Sequence, residues 1–380
     1  MLRTVDDLAF DTDEILDGIR RWVEIETPSS DPAAVNRLMD LVAEGMGTMG
    51  FSLERRPGRD GFGDILLARS PWGGDGAGIL VLSHLDTVHP TGTIETLRFR
   101  REGDVAYGPG IYDMKGGAYL AVHAARHLVR AGRETALPIT FLFAPDEEVG
   151  SPTSRAAIEQ EGARAKYVLV TEPARDGGGC VTGRKGVARF EIRTRGRPAH
   201  SGSRHEDGRS AIREMAHQIL AIEGMTDYSR GITTTVGLIS GGTAANVVPA
   251  ECRALIDLRF PDAQAGDDTI AAIRALKPVD PDVGIAVTGG INRPAYAKTP
   301  AIQALYQHTR GLGAELGLQL GEVPLTGGAS DGNFTAALGV PTLDGLGVDG
   351  DGAHTLHEQI DCRTLARRAA LWVRLFETLR

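Results

Sequence analysis

The 380-residue sequence has few cysteines, no excess of positive charge and no long apolar run, and each of these absences argues against a class of protein. Its three cysteines, Cys180, Cys252 and Cys362, have no C-x-x-C spacing, so we expect reduced thiols. A formal net charge of -9 argues against nucleic acid or an anionic membrane as the main partner. No apolar run approaches the length of a membrane span, and the acidic N-terminal residues are unlike a signal peptide. These features predict a soluble, cytoplasmic protein.

Three well-known motifs are also missing. The stretch GPGIYD (residues 108–113) resembles the start of a dinucleotide fingerprint, but Asp113 replaces the third glycine and no strand immediately precedes it. His354, His357 and Glu358 have the wrong order for the H-E-x-x-H motif of a helical zinc protease. The G-x-S-x-G nucleophile elbow is absent. The sequence therefore argues against a Rossmann nucleotide site, a helical zinc protease and a serine or cysteine hydrolase elbow.

Helices and buried strands alternate in the first 183 residues, and the α/β character returns at about residue 294 with a helix, a glycine-rich stretch and a final helix. The continuous apolar runs are typical of strands buried on both faces, and helical spacing separates them; the runs are residues 78–83, 138–145 and 165–173, and the helices are residues 12–26, about 31–49 and about 116–131. This pattern predicts an α/β domain with a mostly parallel sheet covered by helices.

The pattern changes between residues 184 and 293. Strands with alternating apolar and polar residues, at 186–196 and 252–260, are typical of a sheet with one exposed face. A helix near residues 210–222 and a strand at 233–240 lie between them, and a further helix and strand follow. We therefore predict an inserted α+β domain of ferredoxin-like type, which divides the α/β domain into residues 1–183 and 294–380.

Side chains suited to metal binding follow each predicted strand of the α/β domain. His84 and Asp86 follow the first buried strand, Asp146 to Glu148 follow the second, and Glu172 ends the third. Because the carboxyl ends of parallel strands meet at one edge, we expect these groups to lie close together. Three consecutive carboxylates at such an edge need a positive charge nearby.

The stretches SHLDTV, GPGIYDMKGG, APDEEVGS, VTEP and GAHTLHE resemble the motifs of the di-zinc aminoacylase and carboxypeptidase family. That family includes glutamate carboxypeptidases, acetylornithine deacetylases and succinyl-diaminopimelate desuccinylases. The resemblance covers most of the chain and implies two Zn²⁺ ions per chain, for which Co²⁺ or Mn²⁺ can substitute. It also implies that residues 1–183 and 294–380 form the catalytic domain, and that residues 184–293 form a lid or dimerisation domain.

The resemblance further implies a role for individual residues of the catalytic domain. Asp113, followed by a cis peptide, would bridge the two ions; His84 and Glu172 would complete one metal site, and Glu148 and His354 the other. Glu147 would be the general base and Asp86 would orient His84. Asp146 is expected to be a cap or a solvent-facing loop residue, and His357 a loop histidine.

The inserted domain would contribute to substrate binding. The resemblance implies that His200 reaches across a homodimer to polarise the scissile carbonyl, and that Asn246, Arg259 and Arg293 bind the oxyanion and a substrate carboxylate. Gly328 is our candidate for a backbone contact to the substrate.

The expected activity is closest to that of the glutamate carboxypeptidase branch. A water that bridges the zinc ions would attack an N-acyl amino acid or short peptide and release a C-terminal amino acid such as glutamate. Two alternatives stay open at this point: an N-acyl-amino-acid deacylase of the acetylornithine deacetylase type, and a metal-free binding protein on the same scaffold.

Overall fold

The computed structural model describes residues 10–74 and 76–380, which form two compact units. The first unit contains the residues up to Gly183 together with Lys298–Thr326 and Ser330–Arg380, and the second contains Arg184–Ala297 together with Gly327–Ala329. The segment that we predicted as an insertion, residues 184–293, therefore lies within the second unit.

The helices and strands are numbered along the chain. The α-helices are α1 (Thr12–Val23), α2 (Pro32–Thr48), α3 (Thr93–Thr96), α4 (Gly116–Arg130), α5 (Arg155–Gly162), α6 (Ala211–Glu223), α7 (Ala263–Arg274), α8 (Pro300–Glu315), α9 (Gly332–Ala337) and α10 (Leu365–Thr378). The strands are β1 (Ser52–Arg56), β2 (Ile65–Arg69), β3 (Ile79–His84), β4 (Arg100–Glu102), β5 (Val105–Tyr107), β6 (Ile139–Ala144), β7 (Tyr167–Val170), β8 (Cys180–Val181), β9 (Gly186–Arg195), β10 (Thr233–Gly241), β11 (Glu251–Phe260), β12 (Gly284–Arg293), β13 (Glu322–Val323), β14 (Thr342–Leu343), β15 (Gly350–Asp351) and β16 (Gln359–Asp361).

The main sheet of the first unit has the strand order β1-β2-β6-β3-β7-β14. Strands β6, β3, β7 and β14 are parallel, whereas β1 and β2 join antiparallel at one edge. The prediction of a mostly parallel α/β sheet is therefore confirmed. We did not predict β1, because its residues are all exposed or half-buried and give no apolar pattern.

The strand register of this sheet places the ends of its central strands side by side. His84 at the end of β3 pairs with Ala144 at the end of β6, and Leu82 pairs with Val170 at the end of β7. The polar segments that follow these strands therefore begin at the same edge.

Helix α4 approaches this edge closely because it begins with glycine. A Cβ atom on Gly117 would lie 2.1 Å from the carbonyl oxygen of Thr171, which leaves no space for a side chain. The close approach brings the start of α4, three residues after Asp113, against the segment that carries Glu172.

The second unit contains one antiparallel sheet of order β10-β11-β9-β12, and α6 and α7 pack on one of its faces. The βαββαβ chain order with this strand order is the ferredoxin-like arrangement. Alternate residues of β9 and β11, among them Phe190, Ile192, Ile256 and Leu258, are buried in the core of this unit. Within residues 10–74 and 76–380, no helix is both long enough and apolar enough to cross a membrane.

Candidate metal centre

All five predicted metal ligands lie together in the first unit as two overlapping donor sets. His84, Asp113 and Glu172 form one set, and Asp113, Glu148 and His354 form the other. Within each set the ligand atoms all lie within 4.8 Å of one another. Asp113 belongs to both sets, as expected for a bridging carboxylate.

The two oxygens of Asp113 face opposite histidines. His84 Nε2 lies 3.3 Å from Asp113 Oδ1 and 3.7 Å from Glu172 Oε1. His354 Nε2 lies 3.3 Å from Asp113 Oδ2 and 3.2 Å from Glu148 Oε2. Each side of the carboxylate therefore meets one imidazole and one further carboxylate.

The electrostatics of the two sets indicate a need for positive charge. Burial and the neighbouring carboxylates raise the pKa of Glu148, whereas hydrogen bonds to Asp113 and Glu148 raise the pKa of His354. Although burial opposes it, contact with His354 and His84 lowers the pKa of Asp113. The carboxylates thus place both histidines in surroundings that favour a positive charge.

The residues present fit divalent metal ions. The two sets offer imidazole nitrogen and carboxylate oxygen, which are typical ligands of zinc and related ions. Glu148 Oε1 is buried and has no hydrogen-bond partner among the residues that the structure describes. An unpartnered buried carboxylate oxygen beside a second donor set is suited to a cation.

Asp86 connects His84 to the segment of consecutive acids. Its Oδ1 accepts the backbone N–H of Glu147 at 3.1 Å, and its Oδ2 accepts the N–H of Glu148 at 3.2 Å. The hydroxyl of Ser29 donates to Oδ2 at 2.6 Å, a contact that we did not predict. His84 Nδ1 lies 3.0 Å from the backbone carbonyl oxygen of Asp86 and 3.4 Å from its carboxylate, so the carbonyl is the nearer group.

The other two acids of the run have different environments. Glu147 is half-buried and lies outside both donor sets. Asp146 is fully buried, so the solvent-facing alternative was wrong. Its carboxylate accepts the backbone N–H groups of Thr153 and Ser154 just before α5, which agrees with a capping role.

Three further features of this unit concern the loops around the donor sets. The peptide between Asp113 and Met114 is cis, as expected. His357 is exposed, whereas His354 belongs to the second donor set. Glu358, to which we assigned no role, is fully buried and binds His89 and the loop that ends at Asp113.

The remaining predicted residues lie in the second unit. His200 and Asn246 are exposed neighbours, since the N–H of Ser201 donates to the carbonyl oxygen of Asn246 at 3.0 Å. The Nδ1 atom of His200 accepts the N–H groups of Gly202 and Ser203 at 3.1 and 3.2 Å. The neutral ring therefore carries its proton on Nε2.

Arg259 and Arg293 lie level on the two strands that flank β9, because both pair with Val187. Arg259 is half-buried and donates through Nε and Nη2 to the carboxylate of Asp257, at 2.6 and 3.1 Å. Arg293 is buried.

Gly328 is exposed and lies in the short segment Gly327–Ala329 of the same unit. Its carbonyl oxygen accepts a hydrogen bond from Arg184 Nη1 at 3.1 Å. Because Arg184 is buried, this contact holds the backbone of the segment in place.

The chain is similar in sequence to known proteins over more than nine-tenths of its length. The chain is 30% identical to carboxypeptidase G2 of Pseudomonas sp. (strain RS-16), over 97% of this chain and 90% of the relative. It is also 30% identical to succinyl-diaminopimelate desuccinylase of Methylobacterium nodulans (strain LMG 21967 / CNCM I-2342 / ORS 2060), over 93% of each protein.

Solved structures show the same fold. The crystal structure of aminopeptidase PepT from Bacillus cereus ATCC 10987 aligns with a TM-score of 0.78 at 21% identity, and covers 96% of this chain and 98% of the other.

Residues 80–378 match the sequence profile of peptidase family M20/M25/M40. The chain therefore belongs to peptidase family M20/M25/M40 and is a metal-dependent hydrolase of amide or peptide bonds.

Proposed function

We propose that the protein is a two-metal hydrolase of the glutamate carboxypeptidase type. It would release a C-terminal amino acid, such as glutamate, from an N-acyl or peptidyl group. The observation that carries the proposal is the pair of donor sets that share Asp113. A shared carboxylate is what two neighbouring cations need, since it reduces the repulsion between them.

In this proposal His84 and Glu172 would hold one Zn²⁺, Glu148 and His354 would hold the other, and Asp113 would be a ligand in both sites. Co²⁺ or Mn²⁺ can take the same places, because nitrogen and oxygen donors also suit these ions. When bound, the two cations supply Lewis acidity that polarises the substrate carbonyl and lowers the pKa of water.

Glu147 is the proposed general base. Its backbone N–H is fixed by Asp86, and its neighbour Glu148 belongs to a donor set, so Glu147 is held beside the centre without being one of the ligands. A carboxylate so placed can take a proton from the attacking water and pass it to the leaving amine.

His200 is the proposed donor to the scissile carbonyl. Because Nδ1 accepts two backbone N–H groups, the Nε2–H group of the neutral ring is available to donate to a carbonyl oxygen that gains negative charge. Asn246, on the adjacent segment, is the proposed second oxyanion contact.

Arg259 and Arg293 are the proposed carboxylate-binding residues. A guanidinium group binds a carboxylate with two parallel hydrogen bonds, and the two residues lie level on strands that flank β9. The contact between Arg259 and Asp257 holds that guanidinium in a defined position. Gly328 would add a backbone contact to the substrate.

A homodimer through the second unit is part of the proposal. Strand β10 is an edge strand, and an exposed edge is a ready site for strand pairing. Leu238 and Ile239 on this strand are 65% and 54% exposed, and Leu220 on α6, which contacts β10, is 74% exposed. A second copy of the chain would cover this apolar surface.

The location of the protein is a separate part of the proposal. We infer a cytoplasmic protein, where thiols are kept reduced. The support is that the three cysteines, Cys180, Cys252 and Cys362, are free and buried.

A substrate panel tests the proposed activity. The protein, loaded with Zn²⁺ or Co²⁺, is offered N-acyl-glutamate, a peptide that ends in glutamate, and N-acetylornithine, and the released amino acid is measured. We expect the first two to be cleaved faster than the third. Absence of cleavage for every substrate with a C-terminal glutamate would refute the proposal.

The second candidate is an N-acyl-amino-acid deacylase. It is favoured by the similarity to a desuccinylase, which has the same 30% identity as the similarity to a carboxypeptidase. Preferential cleavage of N-acetylornithine in the same panel would support it. Fewer than one metal ion per chain after reconstitution would instead support a metal-free binding protein.

A further inference from the structure

Glu358 lies at the junction of the segments that carry the proposed metal ligands. It follows His354 by four residues and immediately precedes β16. Pairing of β16 with β5 aligns Gln359 with Tyr107, and the N–H of Gly108 donates to the carbonyl oxygen of Glu358 at 3.4 Å. The register thus brings Glu358 beside the loop that leads to Asp113.

The carboxylate of Glu358 binds this loop through both oxygens. Oε1 accepts the backbone N–H groups of Tyr112 and Asp113, each at 2.9 Å. Oε2 accepts the N–H of Gly110 at 2.8 Å and contacts His89 Nε2 at 2.7 Å. The side chain is fully buried, and a buried carboxylate is costly unless its oxygens are hydrogen-bonded in this way.

These contacts join three segments that the two donor sets need. The first segment carries Asp113, whose own N–H group donates to Glu358. The second is the loop after β3, where His89 follows His84 by five residues, and the third is the segment from His354 to Glu358. One buried carboxylate therefore fixes the shared ligand relative to a ligand of each set.

We propose that Glu358, together with His89, is a positioning residue that holds Asp113, His84 and His354 in the geometry required for metal binding. This inference rests on the proposed metal centre. Glu358 itself belongs to neither donor set and acts through the backbone of the loop, as supporting groups around a metal site commonly do.

Glu214 in the second unit provides a matched control. It is also a buried carboxylate, and it accepts the N–H groups of Val279 and Asp280, each at 2.9 Å, and the side-chain amide of Gln218 at 2.7 Å. Replacement of either glutamate by glutamine removes one charge and turns an NH₂ group toward backbone donors. The two substitutions should therefore destabilise the fold by similar amounts.

The test compares Glu358→Gln with Glu214→Gln in the full chain. Zinc affinity is measured by competition with a chromophoric chelator, and the visible spectrum is recorded with Co²⁺ bound. We expect Glu358→Gln to lower zinc affinity by about 10- to 100-fold and to change the cobalt spectrum. Glu214→Gln should lower the thermal midpoint but keep the wild-type affinity and spectrum.

These measurements distinguish a failure of the inference about Glu358 from a failure of the proposed function. If Glu358→Gln keeps wild-type zinc affinity and cobalt spectrum, Glu358 has only a structural role and the inference is wrong. If the wild-type protein itself binds no metal, the proposed metal centre is wrong instead.

A second pair of variants applies if Glu358→Gln does not fold. His89→Leu removes one donor to the carboxylate, whereas the amide of His89→Gln can donate from a similar position. We expect the leucine variant to lose zinc affinity several-fold and the glutamine variant to recover most of it. Equal, wild-type affinity in both variants would also overturn the inference.

Discussion

Substitution of the neighbours Glu147 and Glu148 tests most directly whether proton transfer and metal binding belong to different residues. Glu148 Oε2 belongs to a donor set and its Oε1 is buried without a hydrogen-bond partner, whereas Glu147 lies outside both sets. The backbone N–H groups of both residues bind Asp86 and are unaffected by a change of side chain. Matched glutamine substitutions therefore change the two carboxylates and little else.

We expect Glu147→Gln to keep its metal and lose turnover. A positioned general base contributes about 10²- to 10⁴-fold to the rate, which corresponds to about 3–5 kcal/mol of activation free energy. Glu148→Gln should instead lose affinity for one of the two proposed metal ions, because it replaces an anionic ligand by a neutral amide.

The assay is metal content per chain after dialysis, together with kcat for the best substrate of the panel. Loss of metal by Glu147→Gln to the same extent as by Glu148→Gln would contradict the division of roles. Wild-type kcat in Glu147→Gln would refute the assignment of the base.

Three other perturbations give further checks. Ser29→Ala removes a hydrogen bond to the buried carboxylate of Asp86. We expect this variant to lower the free energy of unfolding, measured with denaturant, by about 1.5–3 kcal/mol. An unchanged denaturation midpoint would contradict this expectation. Burial lowers the pKa of His123 from 6.5 to about 4, so between these pH values the folded state binds fewer protons than the unfolded state. The free energy of unfolding should therefore fall by roughly 3 kcal/mol as the pH is lowered from 6.5 to about 4. His123→Leu should weaken this loss, and parallel stability curves for variant and wild type would contradict the prediction. Leu238→Asp should convert the proposed homodimer to monomers in sedimentation experiments, whereas Val279→Asp should not, although the two side chains are equally exposed. A dimer in both variants would exclude the β10 surface as the dimer interface.

The fold of the first unit was predictable because its buried strands are continuous apolar runs. The runs that end near His84, Asp146 and Glu172 indicate strands whose ends carry polar groups, and the sheet register brings those ends to one edge. The local sequence was sufficient here, since each of these residues is positioned by the strand that precedes it.

The supporting contacts were not predictable in the same way. Ser29 and Asp86 are 57 positions apart, and Glu358 and Asp113 are 245 apart. Strand β16, which brings Glu358 into place, has only three residues, and so short a strand gives no recognisable alternation of apolar and polar residues. Contacts that depend on such short strands follow from the folded chain and leave no local pattern in the sequence.

The hydrogen-bond partners of the buried acids distinguish the proposed metal ligands from the acids that hold the loops. Asp86 and Glu358 accept backbone N–H groups through both oxygens, so their charge is already stabilised without a metal ion. Asp113 and Glu148 instead face the imidazoles of His84 and His354, which can exchange a proton for a metal ion.

This difference explains how so many carboxylates can be buried at one sheet edge. Those bound by N–H groups act as fixed anchors of the loops and should remain in place when the metal is removed. Those that face histidines gain their full stabilisation only when cations bind. Removal of metal by a chelator should therefore destabilise the donor sets and leave the loop geometry set by Asp86 and Glu358 intact.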